Sequence, residues 1–230
     1  MTPDNPTIAS HAVYNLVILD ESGSMQSIKN TTITGFNEIV QTIKGAKAQY
    51  PDQLHFVSLI TFNGLGIKTV LYNNPVSSLQ LLDQNLYHPD ASTPLYDAIG
   101  QGVLRLKNDL STHTDYNVLV TIITDGEENA SKEFSRNAIN QLISELQATG
   151  KWTFTYIGAN QDVERVSKQV GIDNYMAFNS NVEETNEMFR KERHSRDLYY
   201  KKLSLKQSVR EKYFEEEDDD KKTDDENKKV

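Results

Sequence analysis

The chain has 230 residues, 37% of them hydrophobic, and a mean hydropathy of −0.60, enough for one sizeable domain with part of its length too polar to enter a core. It contains no cysteine, which excludes a disulfide scaffold, a thiolate metal site and a cysteine nucleophile, and fits a reducing, cytoplasmic compartment. The net charge of −9 is uneven: nine acids against four lysines make residues 215–230 net −5, and nine Lys/Arg against three acids make residues 190–212 net +6. No basic n-region or long apolar segment opens the chain, and no run approaches the ~20 apolar residues of a membrane span, so neither a signal peptide nor a membrane helix is expected.

In chain order, Val13–Leu19 is a short apolar, β-branched run that reads as a buried strand. Phe36, Ile39, Val40 and Ile43 then recur at helical spacing within residues 33–48, and Pro51 closes that segment. Leu54–Phe62 and Ile67–Tyr72 read as two strands joined by the Asn63-Gly64-Leu65-Gly66 turn. That connection is too short for a crossover, so the pair is an antiparallel hairpin at a sheet edge. A helix with Pro94 at its first position carries Leu95, Ile99, Val103, Leu106 and Leu110 on one stripe. Asn117–Thr124 is the strongest strand. A helix follows over Ala138–Leu146, stopped by Gly150, then a strand over Trp152–Ile157, a short helix ended by Gly171, and a last strand over Tyr175–Phe178.

Strands alternating with helices imply an α/β fold, a mostly parallel doubly wound sheet with helices on both faces. The compact domain is expected to span residues 11–180. A polar helix with a thin apolar stripe (Met188, Leu198, Leu205, Val209, Tyr213) is expected over residues 181–214, and an acidic, disordered tail over residues 215–230. The basic stretch before the tail reads as a solvated helix face. Nucleic-acid binding by it is not expected, because no aromatic-interleaved recognition motif accompanies the charge.

Three pieces fall where ligands gather in such sheets, beyond the carboxyl ends of strands: Asp20-Glu21-Ser22-Gly23-Ser24, Ser92-Thr93-Pro94, and Thr124-Asp125-Gly126-Glu127-Glu128-Asn129. Each has a plainer explanation alone. Asp and Ser after a strand cap helices, Thr-Pro looks like an N-cap followed by the first helical residue, and Asp-Gly is ordinary turn chemistry. Together they put two carboxylates and three hydroxyls at one end of one sheet. Hard oxygen ligands suit Mg²⁺, Mn²⁺ or Ca²⁺ rather than Zn²⁺ or Cu²⁺, and several neutral hydroxyls favour Mg²⁺ or Mn²⁺ over Ca²⁺. Glu21, Glu127 and Glu128 read as exposed loop acids beside the site.

Asp20-x-Ser22-x-Ser24, Thr93, and Asp125 in Thr-Asp-Gly resemble the metal-ion-dependent adhesion site of von Willebrand factor type A (VWA) domains, with all five positions filled. The resemblance covers roughly residues 11–180. It implies a six-stranded Rossmann-like sheet with one antiparallel edge strand. Ser22 and Ser24 would hold a cation through their hydroxyls, and Thr93, Asp20 and Asp125 directly or through water. The implied function is cation-dependent protein binding, in which the metal bridges to a partner's carboxylate, and not catalysis. The Asp-Glu-Ser-Gly-Ser-Met and Thr-Asp-Gly-Glu-Glu-Asn segments look closer to intracellular bacterial members, which work beside AAA+ ATPases or in multi-protein assemblies. Ala91 and Ser92 stand where the family commonly has a glycine, and Ser92 is the fallback ligand to Thr93. Two alternatives are an Mg²⁺-dependent phosphohydrolase, for which a second Asp is wanted where Ser22 stands, and a scaffold that binds through the C-terminal helix without metal.

Overall fold

The computed structural model describes residues 10–159, 162–210 and 212–214. The acidic stretch from Glu215 lies outside the described residues. Strands β1 (His11–Asp20), β2 (Gln53–Asn63), β3 (Gly66–Pro75), β4 (Tyr116–Thr124), β5 (Trp152–Ala159) and β6 (Asn174–Phe178) form one sheet in the order β3-β2-β1-β4-β5-β6. All neighbouring pairs are parallel except β2 with β3, the antiparallel edge pair expected from the four-residue turn. The helices are α1 (Lys29–Gln49), α2 (Leu95–Asp109), α3 (Arg136–Ala148), α4 (Val163–Gln169) and α5 (Val182–Ser204).

The alternation of side chains along each strand sorts the core into two layers. Val13, Val17 and Leu19 of β1 face the layer holding α1 and α5, and Tyr14, Leu16 and Ile18 face the layer holding α2, α3 and α4. Phe36, Ile39, Val40 and Ile43, the helical stripe of α1, are each wholly buried, which contributes roughly 2 kcal/mol per side chain. Gly150 and Gly171 follow α3 and α4 with φ of 73° and 81°, the left-handed conformation that ends a helix at little cost only for glycine.

Helix α5 does not present a solvated basic face throughout. It packs on α1 so closely that a Cβ on Gly35 would collide with the Phe189 ring, and it buries Arg196 completely. The Arg196 guanidinium donates to Glu192 Oε1 from Nε (2.9 Å) and Nη2 (2.6 Å), to Asn15 Oδ1 (2.9 Å) and the Tyr200 hydroxyl (3.2 Å) from Nη1, and to Thr121 Oγ1 from Nη2 (2.7 Å). All five N–H groups are thus engaged, which is what allows an arginine to be buried. After α5 the chain turns back, and Tyr213 adds a hydrogen bond from its hydroxyl to Glu192 Oε1 (3.1 Å).

The order of strands positions the site. β1 is central, its sequence successor β2 lies on one side and β4 on the other, so the chain connections diverge between β1 and β4. That switch point leaves a crevice at the carboxyl ends of the two strands. Leu19 pairs with Ile123, so the next residues along, Asp20 and Thr124, stand side by side at its floor.

Candidate metal centre

The crevice gathers all five motif side chains. Asp20 is fully buried, and both of its carboxylate oxygens accept protein hydrogen bonds: the Ser22 amide donates to Oδ1 (2.7 Å) and the Thr124 hydroxyl to Oδ2 (2.5 Å). The Ser22 and Ser24 hydroxyls lie 3.1 Å apart. The Ser24 hydroxyl donates to Asp125 Oδ1 (2.5 Å), and the Ser180 hydroxyl donates to Asp125 Oδ2 (3.2 Å). A methyl built on Gly126 would stand 3.3 Å from Thr93 Oγ1 and 3.8 Å from Ser24 Oγ, which brings the Thr93 hydroxyl to the same spot.

Thr93 is not spent on capping α2. The Tyr96 amide donates to Glu128 Oε2 (2.9 Å) and the Asp97 amide to Ser131 Oγ (3.1 Å), so the orphan donors of the helix start are met from the loop after β4. Thr93 is itself held by its backbone: its amide donates to Asn129 Oδ1 (2.9 Å), and its carbonyl accepts from the Asn129 amide (3.2 Å). The helix begins at Leu95, with Pro94 as its N-cap and not its first residue. Ser92 points elsewhere, its hydroxyl lying against Gly64 of the β2–β3 turn. Ala91 carries φ of 58°, the left-handed backbone that a glycine there would take without strain. Its carbonyl accepts from the Gly23 amide (3.0 Å), which clasps the loop before Thr93 onto the Asp20–Ser24 loop.

The three neighbouring acids are not alike, and only Glu127 fits the expectation of an exposed loop residue; it faces Arg165 at 3.6 Å. Glu128 is half-buried and accepts from the amides of Tyr96, Ala130 and Ser131 and from the Ser131 hydroxyl. Glu21 is fully buried; its carboxylate accepts from the His88 amide and from Lys68 Nζ (3.3 Å). Burial follows from the register: the residue after Asp20 is drawn under the loop that descends from residue 79 to Thr93. Sequence reasoning also passed over Tyr87, whose buried hydroxyl donates to the Asp20 carbonyl (2.6 Å), and Asp97, which accepts from the amides of Lys132, Glu133 and Phe134. A lone tyrosine in a loop and an acid in a helix's first turn carry no pattern that announces such roles.

The electrostatics of the crevice are unbalanced. Burial pushes the Asp20 carboxyl up to about 6, against the lowering effect of its bonds from Thr124 and Ser22, and the nearby Asp125 charge pushes it the same way. Burial raises Asp125 too. Among the described residues neither carboxylate has an ion-pair partner. Two buried acids without a cation are costly, and a bound divalent ion would remove the cost. The donor set fits such an ion: two carboxylates supply charge, and three hydroxyls supply neutral oxygens. Among the described residues no group of three or more His, Asp or Glu side chains could hold a metal, so the hydroxyls are what make this a candidate.

No family model matches the chain, and no curated protein does. Solved structures do. The pilus adhesin SpaC from Lactobacillus rhamnosus GG, in its open conformation, superposes with a TM-score of 0.59 at 12% identity, over 83% of this chain and 30% of that one. The ArnB paralog VWA2 from Sulfolobus acidocaldarius superposes with a TM-score of 0.54 at 16% identity, over 80% and 44%. The fold is that of a VWA domain. At these identities the likeness extends to the fold alone, and this chain spans less than half the length of either protein. In VWA terms the crevice lies at the top of the sheet, between the central strand and β4. No helix among the described residues is long and apolar enough to cross a membrane.

Proposed function

We propose that Asp20, Ser22, Ser24, Thr93 and Asp125 bind a divalent cation, Mg²⁺ or Mn²⁺, and that the cation bridges to a carboxylate on a protein partner. The observation that carries this reading is the pair of buried carboxylates without a countercharge, ringed by three hydroxyls. Both Asp20 oxygens are occupied by the Ser22 amide and the Thr124 hydroxyl, and both Asp125 oxygens by Ser24 and Ser180. The acids would then act chiefly as charge behind a shell of hydroxyls and water. An ion held by neutral oxygens stays electrophilic and retains room for an outside anion.

This is a binding role and not an enzymatic one. His11 is engaged with Asp115 and Asn117, His88 with the Asn85 carbonyl, and His55 is buried against Tyr200, so none of these three imidazoles is turned to the crevice. Ser22, where a phosphohydrolase of the type considered would place a second acid, is nearly buried and bonded to Ser24. The partner class is a protein offering an acidic residue, in an AAA+ ATPase or other multi-protein assembly, and the lack of cysteine favours a cytoplasmic setting.

Thermal melts with Mg²⁺ or Mn²⁺ against EDTA test the metal. Wild type is expected to melt higher with millimolar ion, and Asp125→Ala to lose the shift. An unshifted wild type with no binding heat would refute the metal claim. Pull-downs with and without EDTA test the bridge, and retention of the same partner in EDTA would argue for binding through another surface.

A further inference from the structure

Asp125 has a partner that the five-part motif does not contain. Its Oδ1 accepts from Ser24, which belongs to the motif, but its Oδ2 accepts from Ser180, at the junction between β6 and α5 (3.2 Å). That junction is tightly built. Asn181 is the N-cap of α5, its Oδ1 accepting from the Glu184 amide (2.9 Å) and its carbonyl from the Thr185 hydroxyl (2.6 Å). Glu184 reaches back to accept from the Asn179 amide (3.0 Å) and side chain (2.6 Å), and the Asn181 amide donates to the Asn179 carbonyl (2.7 Å). Ser180 is thus flanked on both sides by residues locked to the first turn of α5, so its position is set by the helix.

From this geometry we infer that Ser180 is a positioning residue of the cation site, acting on the ion through Asp125. The inference rests on the cation reading above. Ser180 and Ser24 donate to opposite oxygens, which fixes the rotation of the Asp125 carboxylate about its last torsion. Oδ1 is then aimed at the Ser24 proton, and the Ser24 lone pairs are left facing the space shared with Ser22 and Thr93. Without the Ser180 hydroxyl Oδ2 loses its side-chain donor, and only the residue's own backbone amide remains beside Ser24 to orient the carboxylate. The carboxylate can turn, and Ser24 loses the acceptor that orients it. Groups that orient metal ligands in this way are worth about 10–100-fold in metal affinity.

The test is a Mn²⁺ titration by calorimetry on the full 230-residue chain, wild type against Ser180→Ala and Ser180→Thr, with melts of all three in EDTA. Ser180→Ala is expected to bind Mn²⁺ at least about tenfold more weakly. Its melting temperature in EDTA should fall by no more than about 2–4 °C, the effect of one lost hydrogen bond in a domain of this size. Ser180→Thr, which keeps the hydroxyl, is expected to restore most of the affinity. Wild-type affinity in Ser180→Ala would overturn the inference alone. So would a large drop in its EDTA melt with affinity equally lost in Ser180→Thr, since that outcome marks a merely structural role. A wild type that binds no Mn²⁺ removes the cation reading and this one with it, so the two failures are distinguishable.

Discussion

Replacing Asp20 with asparagine should stabilise the metal-free protein and abolish its response to metal. Asp20→Asn keeps the shape of the side chain and its bonds. The amide oxygen still accepts from the Ser22 amide, and the new NH₂ can donate to Thr124 Oγ1, whose proton is free to turn to the Gly126 carbonyl 3.0 Å away. What disappears is a buried charge. The Asp20 carboxyl titrates near about 6 in the folded chain and at the ordinary 3.8 unfolded. At about 1.4 kcal/mol per pH unit, that difference makes ionised Asp20 cost about 3 kcal/mol at pH 7. The sign is set by proton binding. Between the two values the folded state holds more protons than the unfolded, so this group's contribution is full below the unfolded value and is lost as pH rises through about 6. Urea denaturation in EDTA at neutral pH is therefore expected to show Asp20→Asn more stable by up to about 3 kcal/mol, with the gap closing toward pH 4. Added Mn²⁺ should reverse the ranking, because a ligand that binds only the folded wild type stabilises it by mass action. A variant less stable than wild type in EDTA at neutral pH would refute the reasoning, since it would mean that the carboxylate's hydrogen bonds outweigh its burial.

Three further outcomes follow from particular contacts. Arg196→Met leaves Glu192 buried without its countercharge and should cost about 3–5 kcal/mol in urea denaturation, while Arg196→Met combined with Glu192→Leu should recover much of the loss. Glu128→Ala strips an acceptor from the Tyr96 amide at the start of α2 and from the Ala130 and Ser131 amides and the Ser131 hydroxyl in the loop after β4, and should cost about 2 kcal/mol; a thermal melt within error of wild type would show these bonds to be replaceable by water. Ala91→Gly relieves a left-handed backbone strain of about 1–2 kcal/mol and loses about 0.4–1 kcal/mol to a freer unfolded chain, so a small net rise in denaturation midpoint is expected.

Most of the fold was legible because each element carries its own period. Val13–Leu19 reads as a buried strand by its length and β-branched content, and the α1 stripe of Phe36, Ile39, Val40 and Ile43 as a helix face by its spacing; both are buried as read. The edge hairpin was legible for a different reason: four residues cannot carry a parallel crossover. Four of the motif residues could be picked out because they follow the ends of β1 and β4, and Thr93 because it precedes a helix; the tertiary structure brings all five together. Local chemistry could not show whether Thr93 caps α2, because a capping threonine and a threonine facing a crevice look the same in sequence. That question turned on Glu128 and Ser131, which accept from the helix-start amides and come from a loop more than thirty residues away.

Helix α5 shows the limit most clearly. The basic segment over residues 190–212 reads as solvated, since a buried arginine such as Arg196 needs acceptors for five N–H groups and a nearby charge, and these come from β1, β4 and the helix itself. Glu21 escaped for the same reason, its burial depending on Lys68 and the His88 amide. What the sequence determined alone was everything carried by spacing: the elements, the edge turn and the oxygen-bearing residues at the strand ends. Tertiary structure decided which polar groups lie inside, because burying a charge depends on partners that only the folded chain brings within reach.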